Sequence, residues 1–500
     1  MTACLAGAPS TKKQNWNQVN WSIVQHLVDR LQMRIAEAVR QGRWHKVKAL
    51  QYLLSRSFYA RMLAVKRIIS NKGKRTPGID GVIWKTHRQY WCAVLQLKTR
   101  GYKAQPLRRC WIPKSNGQLR PLGIPTMHDR AMQALYALAL KPIAETLGDK
   151  HSYGFREKRS LHDAIKQCFI ALATRAAAPW VLDADIKACF DRISHDWLLE
   201  NIPLPKKVLE QWLKSGYMEQ SKYFDSDEGT PQGGIISPIL ANMALDGLED
   251  VVIKGRNKKR RKLNVIRYAD DFVITGATEE ILRDEILPAV KEFLQPRGLI
   301  LSEEKTHLRP IDEGFDFLGF YLRKFNGKLI TTPSQKKVAQ FREKLKTFLK
   351  ESQNLPFDVM LRKLNSKLRG WAFSNRQVVA KRLFSSLDNE LYYWLCRWLR
   401  HRHRNKTKAW IKDRYRSRIE GRDNFGTFVL NKQGKRQWLG LFRMADVPIR
   451  YHVKVRGEAN PYDPAYREYY KNRAEKQRRG RNYDRLFLAS NTVERTLIRG

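Results

Sequence analysis

Acidic residues in two separate stretches place the strongest constraint on how this chain can fold. In RYADDFVI (267–274), only Asp270 and Asp271 separate two β-rich runs, which predicts a tight hairpin. In WVLDADIKACFD (180–191), Asp185 closes a short apolar run that is typical of a strand. A carboxylate at the end of a neighbouring strand can reach a hairpin tip, so we expect the three carboxylates to converge. Such a site suits magnesium, and two Mg²⁺ ions roughly 4 Å apart would relieve the repulsion between the carboxylates.

The net charge predicts a polyanionic partner. Lys and Arg number 95 against 48 Asp and Glu, a formal charge of +47 over 500 residues. Nucleic acid is the first candidate and an anionic membrane surface the second. Basic clusters in KGRNKKRRK (254–262) and RHRHRNKTK (400–408) are interpreted as contacts to an RNA or DNA backbone. The contacting residues predicted there are Lys258, Lys259, Arg260, Arg261, Arg400, Arg402, Arg404 and Lys408.

Several other classes are disfavoured by the sequence. No apolar run reaches 18 residues, so we expect no membrane span. The first residues, MTACLAGAPSTKK, do not have the pattern of a secretory signal. The cysteines are scattered with no C-x-x-C pair, which fits a reduced cytoplasm better than a zinc ribbon or a disulfide framework.

The periodicity of apolar residues changes along the chain. Residues 105–325 mix short β-like runs with helical stretches, so the predicted fold class is α+β. Residues 1–70 and the chain after about 330 are helical in pattern. The last hundred residues are broken by Gly, Asn and Pro, and we expect a weak core there. The two apolar stripes of the later helices are Val338, Phe341, Leu345, Phe348 and Leu349, and Leu383, Leu387, Leu391, Leu395 and Trp398.

Beyond these patterns, the chain resembles the group II intron-encoded reverse transcriptase/maturases over nearly its whole length. Y-A-D-D (268–271) resembles the signature of reverse transcriptases, and the other blocks follow in family order. LRGWAFSN (368–375) and RWLRHRHRNKTKAW (397–410) resemble the family's maturase region. The remaining blocks are GKRTPGIDG (73–81), WIPKSNGQLRPLGIPTMHDRAMQ (111–133), SYGFREKRSLHDAI (152–165), LDADIKACFDRISH (182–195), GTPQGGIISPILANM (229–243), GLILSEEKT (298–306) and GFDFLGF (314–320).

The resemblance implies a role for each matching residue. Asp185, Asp270 and Asp271 would bind metal together with the backbone carbonyl of Ile186. Phe190 would be the aromatic that excludes a ribose 2′-hydroxyl and so selects dNTPs. The implied nucleotide-binding residues are Lys114 and Arg120 in the fingers, Gln232 in PQGG, and Lys305 in SEEKT, which is either a proton donor or an ion-pair partner of Glu303 or Glu304.

The resemblance also implies an architecture and partners. We expect a right-hand polymerase: a helical extension (1–70), fingers and palm (71–325), a thumb or maturase domain (326–410), a DNA-binding region (411–450) and an endonuclease-like remnant (451–500). The remnant lacks the Cys pairs and later His of an H-N-H endonuclease, so we expect no second-strand nicking. The implied partners are group II intron RNA, target DNA and dNTPs, in a ribonucleoprotein at the nucleoid of a bacterial cytoplasm.

Other functions remain open at this stage. A CRISPR-associated or defence reverse transcriptase would keep the polymerase without an intron, although the maturase-like stretch 368–410 counts against it. A splicing factor with an inactive polymerase is disfavoured by the complete set of acids. An RNA-dependent RNA polymerase is disfavoured by Phe190.

Overall fold

The computed structural model describes residues 15–113, 117, 119–220, 222–230, 233–419, 422–431 and 433–490. Within these residues the chain forms two compact units. The first unit takes in 15–164, 180–308 and 455–467, and the second takes in 165–179, 309–454 and 468–490.

The first unit is built from helices and two small sheets. Its helices are α1 (Trp21–Arg40), α2 (Trp44–Arg56), α3 (Phe58–Ser70), α4 (His87–Gln96), α5 (Met127–Leu147), the start of α6 (Leu161–Leu172), α7 (Cys189–Arg192), α8 (His195–Asn201), α9 (Lys206–Leu213), α10 (Ser237–Leu245), α11 (Leu248–Ile253), α12 (Lys258–Arg261) and α13 (Leu287–Leu294). The residues of α6 after Ala164 belong to the second unit. Its strands are β1 (Leu107–Pro113), β2 (Leu119–Ile124), β3 (Trp180–Asp185), β4 (Tyr217–Glu219), β5 (Lys222–Phe224), β6 (Asn264–Tyr268), β7 (Asp271–Gly276) and β8 (His307–Pro310). The mixture confirms the predicted α+β class.

The two sheets of this unit have different strand orders. One runs β2-β1-β4-β5 and the other runs β6-β7-β3-β8. In the second sheet, β7 lies between β6 and β3 and is antiparallel to both. Because β7 is a central strand, its register is fixed from two sides. This fixes the position of every acidic residue at the end of the sheet.

Helix α5 forms the centre of the core. It is buried around most of its circumference, as expected for a helix enclosed by others. Helices α1, α2, α3 and α10 pack against it. Helix α1 begins at Asn20, whose side chain accepts hydrogen bonds from the backbone N–H groups of Ser22 and Ile23. The predicted helical pattern before residue 70 is therefore confirmed.

Residues 455–467, here called the C-terminal strap, belong to the first unit although they lie far along the chain. Val455, Ala459 and Tyr462 are buried. The N–H of Val455 donates to Asp163 Oδ1 at 2.7 Å, and Arg159 donates to the carbonyl of Gly457 at 2.7 Å. The prediction of a weak core is wrong at the strap, because the apolar residues of the strap pack within the first unit rather than on their sequence neighbours.

The second unit has two three-stranded sheets and long helices. The sheet orders are β11-β10-β9 and β12-β13-β14. Its strands are β9 (Phe315–Phe317), β10 (Phe320–Phe325), β11 (Lys328–Pro333), β12 (Arg416–Ile419), β13 (Arg422–Leu430) and β14 (Arg436–Gly440). Its helices are α14 (Gln335–Glu351), α15 (Phe357–Asn375), α16 (Lys381–Arg402), α17 (Lys408–Tyr415) and α18 (Arg467–Ser490).

The apolar stripes of α14 and α16 face the core of this unit. Val338, Leu345 and Leu349 are buried on α14, and the α16 residues Leu387 and Leu395 are also buried. The boundary between the units comes after Leu308, and β9–β11 beyond it form a separate sheet. This sheet is tied to the rest of the second unit by a hydrogen bond from Val379 N–H to the carbonyl of Thr331 in β11 at 2.9 Å. The domain bounds expected from the sequence remain predictions.

In the described part of the chain, no helix is long and apolar enough to cross a bilayer. The described cysteines, which are Cys92, Cys110, Cys168, Cys189 and Cys396, are all free thiols.

Candidate active site

The structure brings the three predicted carboxylates together at one end of the second sheet. Asp185 ends β3 and pairs across the sheet with Asp271, the first residue of β7. Directly opposed residues on antiparallel strands have Cβ atoms about 5 Å apart. Asp270 lies in the turn next to them.

The hairpin itself differs from the prediction by one residue. The sequence placed Asp270 and Asp271 in the loop, whereas the loop is Ala269–Asp270 and Asp271 pairs with Tyr268. Ala269 takes a left-handed backbone conformation with φ of 59°. The shift has a physical reason: Asp271 gains ladder partners on both sides, from β6 and from β3, which it would lack in a loop.

Burial and mutual repulsion disfavour the charged forms of Asp270 and Asp271. Burial, followed by the charges of Asp185 and Asp270, raises the pKa of Asp271 to about 7. Burial and the charge of Asp185 also raise the pKa of Asp270. The site is therefore short of positive charge, which is the condition that favours binding of a divalent cation.

Lys305 supplies part of the missing charge. Its ammonium forms an ion pair with Asp185 Oδ2, and the hydrogen bond to Asp185 raises the pKa of Lys305. The partner is Asp185 rather than Glu303 or Glu304, the alternatives that the sequence suggested. The short 3₁₀ turn Glu303–Lys305 directs Lys305 here because Ser302 N–H bonds to the carbonyl of Asp185 at 2.8 Å. The ammonium thus neutralises the Asp185 carboxylate, as a bound metal cation would.

The donor set fits a hard divalent cation. Among the described residues, no group of three or more His, Cys, Asp or Glu side chains is arranged to hold a metal ion by itself. Magnesium commonly takes only one or two carboxylates and completes its shell with water and substrate phosphate. Protein side chains therefore need not fill the whole coordination shell of a magnesium ion at this site.

A cavity of about 1160 Å³ opens beside the carboxylates. Asp185, Ile186 and Asp270 line it, as do Arg120 and Phe190. Arg120 belongs to β2 of the other sheet, and its positive charge partly offsets the rise in the pKa of Asp270. The cavity is thus lined by a guanidinium group, an aromatic ring and carboxylates, and it is large enough for a nucleotide.

The backbone around Phe190 is held by the segment that follows β5. The N–H of Thr230 donates to the carbonyl of Phe190. Gly229 has a φ of 82°, and a Cβ on it would lie 2.5 Å from the backbone carbon of Asp191. Only glycine fits so close an approach at a positive φ. Phe190 itself is half-buried.

Sequence reasoning missed the buried polar groups that support the hairpin. Arg267 in β6 is only 1% exposed, yet it donates to Asn242 at 3.3 Å and forms ion pairs with Asp246 and Asp149. The cost of burying Asp149 raises its pKa to about 6 despite Arg267. The only sequence signal was an arginine on the inward-facing side of a strand that is otherwise apolar.

Lys114 and Gln232 lie outside the described residues.

The basic cluster 254–262 lies at the opposite end of the β6–β7 hairpin from the acids. Lys259 and Arg260 are exposed on α12, and Lys258 is half-buried near Glu249. Arg261 is different, because it forms an ion pair with Glu285. The sequence assigned all four residues to nucleic acid, but Arg261 already has an intramolecular partner.

The second basic cluster is also mixed. Arg400, Arg404 and Lys408 are exposed. Arg402 instead donates to the carbonyls of Gln353 and Leu355 at 2.7 and 2.6 Å, after the end of α14. Its Nη1 group thus binds a loop of the same unit, and its contact with nucleic acid stays a prediction.

Three family models match the chain. The model for the reverse transcriptase (RNA-dependent DNA polymerase) matches residues 112–322, and that for the N-terminal domain of reverse transcriptase matches 16–97. The model for the maturase-specific domain of group II introns matches 338–416. The class defined by the fold and these matches is a reverse transcriptase joined to a maturase domain.

Similar proteins come from bacteria and from yeast. Protein YkfC of Escherichia coli is 32% identical over 57% of this chain and 87% of that protein. The group II intron-encoded protein LtrA of Lactococcus lactis is 31% identical over 55% of this chain and 56% of LtrA. The putative COX1/OXI3 intron 1 protein of Saccharomyces cerevisiae is 28% identical over 49% of this chain and 36% of that protein. The chain thus spans little more than half the length of LtrA.

The chain belongs to the group II intron-encoded reverse transcriptase/maturase family. Reverse transcriptases generally use divalent metal ions, as the chemistry of the acidic site also suggests.

Proposed function

We propose that this protein copies RNA into DNA at a site where Asp185, Asp270, Asp271 and the carbonyl of Ile186 hold two Mg²⁺ ions. The bound ions would activate a primer 3′-hydroxyl and neutralise charge on the departing pyrophosphate. The observation that carries the proposal is the convergence of three carboxylates, two with raised pKa values, beside a cavity lined by Arg120.

The remaining residues would bind and select the nucleotide. Arg120, together with Lys114, would hold the triphosphate through charge-assisted hydrogen bonds. Gln232 would contact the base pair being formed, and Phe190 would block a 2′-hydroxyl. Lys305 would leave Asp185 when the acids bind cations, and its Nζ proton would then be available to the pyrophosphate.

The partners of the proposed reaction are a group II intron RNA and a target DNA. The protein would stabilise the folded RNA, which performs its own splicing, and then use the RNA as a template in a ribonucleoprotein at the bacterial nucleoid. The exposed cations Lys259, Arg260, Arg400, Arg404 and Lys408 would contact phosphates without choosing a sequence. Support comes from the net charge of +47 and from the maturase-specific match.

An isosteric substitution separates the two activities. Asp270→Asn is expected to reduce RNA-templated primer extension by several orders of magnitude, while RNA binding and stimulation of splicing stay near the wild-type level. Asp250→Asn, an exposed carboxylate on α11, is the matched control and should extend primers normally. Primer extension by Asp270→Asn at more than a tenth of the wild-type rate would contradict the proposed site. Loss of splicing in a folded Asp270→Asn protein would contradict the separation of the two roles.

A further inference from the structure

Phe155 combines a strained backbone with an exposed aromatic ring. Its φ is 57°, in the left-handed region, and its side chain is 55% exposed. A bulky residue rarely adopts this conformation, which costs free energy unless the surroundings enforce it. Because the side chain is exposed, burial of the ring in the core cannot offset the cost of this backbone conformation.

The loop around Phe155 is held from both sides. On one side, Asn242 Nδ2 donates to the carbonyl of Gly154 at 2.7 Å, and a Cβ on Gly154 would overlap the backbone nitrogen of Ala269. On the other side, Arg156 forms a buried ion pair with Glu145 at 2.8 Å. The loop is thus locked against the turn that carries Asp270, and the position of Phe155 is fixed relative to the carboxylates.

The ring of Phe155 meets the ring of Phe190 edge to face. The two centroids are 6.2 Å apart and the ring planes are inclined by 81°. This is a favourable arrangement for two aromatic rings. Among the described residues that line the cavity, Phe190 is present and Phe155 is not. Phe155 therefore contacts Phe190 without itself lining the cavity.

We propose that Phe155 is a positioning residue that keeps the ring of Phe190 against the sugar of the incoming nucleotide. The proposal rests on the function proposed above for Phe190. Phe190 packs against the hydrophobic core, and its contact with Phe155 adds a second restraint on the orientation of its ring. The strained loop supplies that second contact, so discrimination against ribonucleotides depends on Phe155 although Phe155 does not touch the nucleotide.

Steady-state primer extension on an RNA template tests the proposal. The measured quantity is the ratio of kcat/KM for dNTP to kcat/KM for the matching NTP. Phe155→Gly removes the ring and suits a positive φ, so the variant should fold. We expect the ratio to fall by about 3- to 10-fold, the range that one edge-to-face aromatic contact supports. The loss should come from better use of NTP, with kcat/KM for dNTP within about twofold of wild type, whereas mere loss of structure would lower both.

Further variants complete the design. Phe155→Tyr keeps the aromatic ring, and its ratio of kcat/KM values should equal that of the wild type. Phe325→Ala removes a phenylalanine of equal exposure, 55%, in the second unit and should leave the ratio unchanged. In a Phe190→Ala background, Phe155→Gly should have no additional effect on the ratio, because the ring it positions is absent.

The outcomes separate the two proposals. If Phe190→Ala does not lower the ratio, the assignment of Phe190 as the sugar-selecting residue fails. If Phe190→Ala lowers it and Phe155→Gly does not, or if the two effects multiply independently, only the role of Phe155 is refuted.

Discussion

The C-terminal strap makes a quantitative prediction about stability. Tyr462 is 7% exposed within the first unit, and its hydroxyl is hydrogen-bonded to Glu157. Truncation of a buried aromatic residue to alanine costs about 3–5 kcal/mol. The unit has roughly 300 residues, so its unfolding entropy is about 0.6 kcal/mol per kelvin, and Tyr462→Ala should lower its melting temperature by about 5–8 °C.

The assay is retention of primer-extension activity after heating, because that activity reports on the unit that holds the carboxylates. Tyr462→Phe loses only the hydrogen bond to Glu157 and should cost about 1 kcal/mol, or roughly 2 °C. Tyr451→Ala is the matched control, since Tyr451 is 75% exposed and lies just before the strap. If Tyr462→Ala and Tyr451→Ala lose activity at the same temperature, the strap is not a structural part of the polymerase unit.

Three other perturbations have defined outcomes. Burial lowers the pKa of Lys337 to about 8, so in the folded state a charged ammonium is held at a cost below pH 8. In the unfolded chain the pKa of Lys337 is about 10.5, so the wild-type protein gains stability as the pH rises from 8 towards 10.5. In urea unfolding, the free energy of unfolding of Lys337→Met should therefore exceed that of the wild type most below pH 8, and the difference should shrink towards pH 10.5. A difference that grows with pH would contradict this. Asp388 accepts hydrogen bonds from the N–H groups of Met444 and Ala445 at 3.0 and 2.8 Å, so Asp388→Ala should cost about 2–4 kcal/mol in urea unfolding and Asp388→Asn less. A loss of less than about 1 kcal/mol for Asp388→Ala would show that the two hydrogen bonds contribute little. Lys259→Ala and Arg260→Ala should each reduce the salt dependence of RNA binding by about one unit of the log–log slope, whereas Arg261→Ala should not, because Arg261 is paired with Glu285. A slope change with Arg261→Ala of the same size would refute this distinction.

Local sequence patterns were sufficient to predict the strands that carry the acids. A strand that ends in Asp185 and a hairpin that carries Asp270 can both be identified within a few residues of chain. The same patterns could not set the hairpin register, because Asp271 is drawn into the ladder by β3, about 85 residues earlier in the chain. The one-residue error is therefore a tertiary effect that propensity does not contain.

Contacts between distant residues were beyond prediction. The Lys305–Asp185 ion pair joins residues 120 positions apart, and nearby Glu303 and Glu304 were equally plausible partners on the sequence alone. Similarly, the left-handed conformation of Phe155 follows from ties to Asn242 and Glu145 in other elements. These contacts depend on which distant segments pack together in the folded protein, and local patterns in a single sequence do not indicate that packing.

The strap has a consequence for how the protein is made. Val455 binds Asp163 across 292 residues, and Asp463 pairs with Arg40 across 423. A ribosome adding about 5–20 residues per second needs roughly 15–60 s to travel from Asp163 to Val455. Throughout that interval the nascent polymerase unit exposes the apolar surface that Tyr462 will later cover, which is a natural substrate for chaperones. A chain that ends before the strap would therefore leave uncovered the surface on which Tyr462 and Val455 pack.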